Sequence, residues 1–153
     1  TSSRIPACSA DSTAEATSFL ESTMVPVRLA CHAGSDRLWM LSLWYRYHEG
    51  RLECATSAGA DIVGKLRRND QVAFEVSTNR PPYRGVRGNG TASIERDSEM
   101  ALLRTLIERY LGDTDNDLAE TLLASSREEV RIIIEPAKVS TWDFSDRMAD
   151  VSE

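Results

Sequence analysis

From Val25 to His32, apolar and polar residues alternate with period two, the pattern of a strand half-buried in a sheet. Val25 to His32 predicts a first strand, with Pro26 near its start, where a missing backbone donor is tolerated. Ala33-Gly34-Ser35-Asp36 supplies a hairpin turn, Leu38 to Tyr47 a second strand, His48-Glu49-Gly50 another turn, and Arg51 to Thr56 a third strand. The period then changes. From Ala58 to Arg68, Ile62, Val63 and Leu66 fall on one helical face, with Asp61 in the first turn and Lys65, Arg67 and Arg68 in the last. Asn69-Asp70 closes that helix. Gln71 to Thr78 and Val86 to Glu95 predict the fourth and fifth strands, the latter entered through Pro81-Pro82-Tyr83-Arg84-Gly85. Ser98 to Leu111 is helical again, ending at Gly112 as a C-cap. Asp113-Thr114-Asp115-Asn116-Asp117 opens a helix to about Ser126, and lacks the glycine and terminal glutamate of a calcium loop. Glu129 to Glu135 predicts a sixth strand ended by Pro136, and Val139 to Phe144 a short extended segment carrying Trp142. A short helix from Ala14 to Ser22, with Phe19 and Leu20 on its apolar side, precedes them all.

Strands joined by hairpins, with short helices between, predict a six-stranded antiparallel α+β barrel. The expected organisation is one domain over 14–147, between a flexible lead-in 1–13 and a tail 148–153. The second strand stands apart because both of its faces are apolar. One carries Trp39, Leu41, Leu43, Tyr45 and Tyr47; the other carries Leu38, Met40, Ser42, Trp44 and Arg46. If one face fills the barrel, the other exposes a patch that needs cover. A helix of the same chain, a second subunit and a ligand all remain open as that cover.

A net charge of −6 argues against a nucleic-acid partner, which normally meets a basic surface. Sixteen of the 18 basic residues are arginine, a preference that suits phosphates and carboxylates and equally fits a composition bias. Cys8, Cys31 and Cys54 show no paired spacing, and the last two fall in predicted strands as small hydrophobes. His32 and His48 have no second ligand type at metal spacing, so neither a Zn site nor a His-based triad is expected. No apolar stretch reaches the ~18 residues of a membrane span, and no signal-peptide pattern is present, so a cytoplasmic protein without a membrane partner is the expectation.

Several moderate motifs occur in a particular order: L-W-Y-x-Y from Leu43, G-R-L-x-x-x-T from Gly50, K-L-R-R-N-D from Lys65, V-A-F-E-V from Val72, P-P-Y-R-G-V-x-G-x-G from Pro81, and V-R-I-I-I-E-P-A-K-V-S-T-W-D-F from Val130. This succession, spanning roughly residues 16 to 145, resembles the pyridoxamine-5′-phosphate-oxidase-like split-barrel family. The resemblance implies a six-stranded split-barrel homodimer that binds FMN, or in a sister branch a deazaflavin, at the dimer interface. It implies an oxidoreductase transferring hydride between flavin and a small substrate. Two alternatives stay open: a deazaflavin-dependent reductase, and a dimer that has lost flavin and serves as a binding or interaction protein. Pyridoxamine-phosphate oxidase activity itself is not expected, since no substrate-phosphate site is recognisable.

The residues can be set against the chemistry such a site needs. Thr56 and Ser57, just before a helix start, offer hydroxyls beside free amides for a phosphate, or simply cap the helix. Ala58, Gly59 and Ala60 leave room for close approach. Lys65, Arg84 and Arg87 are the basic candidates, each also readable as a solvated surface charge. Trp44, Tyr45 and Trp142 are candidates to stack on a flavin ring, or belong to core or interface, and Ser42 joins them from the second strand. No residue stands out as catalytic acid or base. The chain departs from the family at Ala60-Asp61-Ile62, where relatives carry Ser-Arg-Lys, and at Trp39, where a basic residue is expected. Asp61 beside a phosphate repels it by about 1 kcal/mol or more at close range.

Overall fold

The computed structural model describes residues 13–113, 116–124 and 128–146; the expected tail 148–153, Cys8 and all of the lead-in but Thr13 lie outside them. In chain order the elements are α1 (Thr13–Ser22), β1 (Val27–His32), β2 (Leu38–Leu43), β3 (Arg46–His48), β4 (Arg51–Ser57), α2 (Asp61–Arg68), β5 (Gln71–Ser77), β6 (Arg84–Arg96), a 3-10 turn (Ser98–Met100), α3 (Ala101–Leu111), α4 (Asp117–Ala124) and β7 (Glu129–Asp143). No described helix is long and apolar enough to cross a membrane.

All strand pairs are antiparallel, and the described strands form one seven-stranded sheet in the order β2-β1-β5-β6-β7-β4-β3. The two edge strands, β2 and β3, are consecutive in the chain and joined only by Trp44 and Tyr45. Leu43 and Arg46 therefore lie at most ~11 Å apart. A sheet whose opposite edges are tethered that closely has to curl round on itself. It does so without a ladder between those edges, so the curl stays open by hydrogen bonding.

Two expectations need correction. The sheet has seven strands, not six, because the expected second strand breaks at Trp44–Tyr45. There the Tyr45 amide donates to the Tyr110 hydroxyl at 3.3 Å instead of to a neighbouring strand. The Tyr45 hydroxyl turns inward and donates to the Leu20 carbonyl at 2.8 Å, while Trp44 stacks on Tyr110 at 5.1 Å between centroids. Nor does Pro136 end a strand. β7 runs through it, and the register against β6 slips between Asn89 and Gly90, so that Asn89 faces Lys138 and Gly90 faces Pro136. That bulge accommodates the missing donor.

Inward positions of the sheet form the main core: Val27, Leu29 and Cys31 of β1, Leu52 and Cys54 of β4, Phe74 and Val76 of β5, and Ile132 and Ile134 of β7. α1 adds Ala16, Phe19 and Leu20, and α2 adds Ile62, Val63 and Leu66. The two helices enter from opposite ends, α1 beside Arg84 at the start of β6 and α2 beside Trp39 at the start of β2. A smaller cluster of Leu103, Ile107 and Ala119, with Trp44 and Ala55 packed against it, seats α3 and α4 outside β4. Asp97 anchors α3: its carboxylate accepts the amides of Leu102 at 2.9 Å and Leu103 at 3.0 Å, and Nε of Arg131 at 3.0 Å.

Candidate functional site

Antiparallel partners share a face, so the registers line up rows of outward side chains across the sheet. One row runs Ser42, Arg28, Glu75, Arg87, Ser140 from β2 to β7; the next runs Met40, Ala30, Ala73, Asn89, Lys138. On this outer face β2, β1 and β5 carry no helix of the described chain. Leu38 and Met40 are 76% and 61% exposed there. All residues of the two rows except Ser42 line a groove of about 480 Å³ with a small apolar floor of Ala30 and Ala73.

The side chains of this face are ordered by their neighbours. Arg28 Nη2 donates to Asn79 Oδ1 at 3.2 Å, and Glu75 accepts from Ser77 Oγ at 2.9 Å. The Arg87 guanidinium lies 4.8 Å from the Trp142 ring centroid. Trp142 in turn lies across Gly85, where an added Cβ would stand 2.7 Å from its Cζ2. Gly85 is thus a flat seat for the indole, and Trp142 holds Arg87 out along the face.

A second hollow of about 290 Å³ lies at the start of α2, lined by residues that include Gly59, Ala60, Asp61 and Lys65. It shares no lining residue with the first. Thr56 and Ser57 are held in the β4–β7 ladder opposite Val130 and Glu129. Ser57 Oγ accepts the Gly59 amide at 3.3 Å, and the N-cap residue Ala60 gives α2 no side-chain cap. The Lys65 ammonium sits 4.9 Å from the Trp39 ring centroid. Burial pushes the Cys31 thiol up, and Lys65 partly offsets that rise.

The sequence candidates therefore divide. Ser42, Arg87 and Trp142 share the bare outer face, while Thr56, Ser57 and Lys65 surround the start of α2. Arg84 does not join Arg87. Strand alternation turns it the other way, 4.8 Å from the Phe19 ring and 3.9 Å from Asp143. The Asp143 carboxyl is held below its usual range by hydrogen bonds from Ser145 and, less strongly, by Arg84. Tyr45 is fully buried in the core, with no face left for a ligand. Trp44 keeps its outward direction, but α3 covers that part of the sheet. The α-helical cover open in the sequence thus reaches Trp44 and leaves Leu38 and Met40 uncovered. Sequence reasoning passed over Arg28, Glu75, Asn89, Lys138 and Ser140. Their outward phase is readable in each strand, but their convergence depends on a register that single-strand patterns do not carry.

No family model matches the chain, and no curated protein matches it. Solved structures do. The conserved hypothetical protein Rv2991 of Mycobacterium tuberculosis superposes with a TM-score of 0.73 at 22% identity, covering 98% of this chain and 94% of its own. A protein named F420 reductase gives 0.65 at 22% identity, covering 80% and 94%. A pyridoxamine 5′-phosphate oxidase-like protein of Listeria innocua gives 0.63 at 17% identity, covering 84% and 95%. The chain has the fold of the pyridoxamine 5′-phosphate oxidase-like proteins.

Proposed function

We propose that two copies of this chain pair as split barrels through the bare sheet face and bind a flavin-type cofactor between them, as an oxidoreductase. The observation that carries the reading is that face itself. An uncovered apolar patch of Leu38 and Met40 adjoins a groove with a flat floor and an indole at its border. The names of the similar structures, an F420 reductase and a pyridoxamine 5′-phosphate oxidase-like protein, point to the same cofactor class.

The aromatic body of a flavin fits this face, where Ala30 and Ala73 form a floor and Trp142 lies beyond the groove over Gly85. Its phosphate does not fit the start of α2. Asp61 stands in the first turn, Ser57 Oγ is turned to the Gly59 amide, and Lys65 is engaged over Trp39. That misfit favours one second reading, a barrel dimer that has lost flavin and acts as a binding protein. Titrating the purified chain with FMN and with a deazaflavin, and following the fluorescence of each, separates the two. Quenching by either at micromolar concentration is the expected outcome; a chain indifferent to both leaves only the binding-protein reading.

A further inference from the structure

The bare face opposes the charge of the whole chain. The sequence carries −6, yet the groove is lined by three cations, Arg28, Arg87 and Lys138, against the single carboxylate of Glu75. Glu75 is occupied by Ser77 Oγ, and the patch is net positive. Two copies that meet through such faces bring like charges together, which is costly unless an anion lies between them. The cations are also spread. Arg28 and Lys138 belong to β1 and β7, three strand spacings or roughly 14 Å apart, with Arg87 of β6 between them. Arg87 is held against Trp142, which lowers the cost of ordering its guanidinium on a ligand.

We propose that this groove seats a phosphate-type anion, with Arg28, Arg87 and Lys138 as its partners, in place of the start of α2. The spacing of the cations suits a diphosphate better than a single phosphate. Asn89 and Ser140, which also line the groove, add a side-chain amide and a hydroxyl to the donor set. The anion site stands on this charge arrangement alone. Only the statement that the anion is the charged end of a flavin rests on the function proposed above.

Isothermal titration of the full chain with inorganic pyrophosphate, FMN and riboflavin tests it. The proteins compared are the wild type, the double variant Arg28→Gln/Lys138→Gln, and Lys65→Gln, with melting temperature checking that each is folded. Pyrophosphate should bind the wild type, lose about tenfold or more in affinity in the double variant, and change less than about twofold in Lys65→Gln. The preference for FMN over riboflavin should fall in the same variant. Pyrophosphate binding lost in Lys65→Gln and kept in the double variant would place the anion at α2 and overturn the proposal. A wild type that ignores pyrophosphate overturns it equally. Pyrophosphate bound in the groove with no flavin bound upholds the anion site and sinks the cofactor reading.

Discussion

Cys54 lies wholly inside the curled sheet, where burial pushes its thiol from an ordinary 9.0 up to about 12. Tyr45, beside it in the core, is shifted upward for the same reason. The folded protein thus holds a thiol proton that the unfolded chain releases above about pH 9. Stability from this group is complete below that pH and is lost as pH rises toward 12, by ~4 kcal/mol at most. Urea midpoints should fall steeply between about pH 9 and 11, and less steeply in Cys54→Ala. Equal slopes in the two proteins would show that the thiol is not what drives the loss. Single residues of this kind were legible as buried from the alternation of β4. Their consequences were not, because a thiol on a strand carries no sign of how completely it will be enclosed. Arg84 and Arg87 make the same point: three residues apart, they look like a pair, and strand alternation sends them to opposite sides.

At the scale of elements, α1 and α3 are clipped together by one side chain. Arg109 of α3 donates to the carbonyls of Glu21 at 2.8 Å, Leu20 at 3.2 Å and Thr23 at 2.6 Å, so it closes the C-terminal end of α1. It also lies 5.3 Å from the Tyr45 ring centroid and 5.5 Å from that of Tyr110. Lysine has neither the fork nor the flat face for this. Arg109→Lys should destabilise the protein by about 1.5–3 kcal/mol in chemical unfolding, and an unchanged midpoint would deny the clip any weight. Nothing in the sequence marks Arg109, since capping from a distant helix leaves no local signature. The elements themselves were largely legible. A period-two run located β1, short runs bounded by turn residues located β4 and β5, and the helical stripes of α2 and α3 were read from Ile62, Val63 and Leu66 and from Leu102, Leu103, Leu106 and Ile107. The misses fall where a local rule was overruled. Unbroken apolar character hid the break between β2 and β3, and a bulge carried β7 past Pro136.

For the whole molecule, the unequal cover of the sheet decides the behaviour. α3 and α4 seal the outside of β4, while the outer faces of β2, β1 and β5 stay open. The sequence could show that strand two had two apolar faces, but not which stretch a helix would cover, because that depends on where α3 docks. With Leu38 and Met40 left uncovered, the chain should sediment at twice its 17.0 kDa mass. Met40→Asp should bring it to a single chain with its fold intact, since the side chain touches solvent rather than the core. A wild type that sediments as a single chain would remove the pairing on which the proposed site depends.

The two-residue link between β2 and β3 has a bearing on that face, although it lies at the sheet's open seam. By tethering the outermost strands it sets the bend of everything between them, as the length of a bowstring sets the bend of the bow. That bend closes round the core and leaves the bare outer face convex. The hollow there is made by long side chains such as Arg28, Arg87 and Lys138 standing round Ala30 and Ala73, not by the curl itself. Such a frame can exchange that lining, or move a charge from one end of the groove to another, and leave the core on its other face undisturbed.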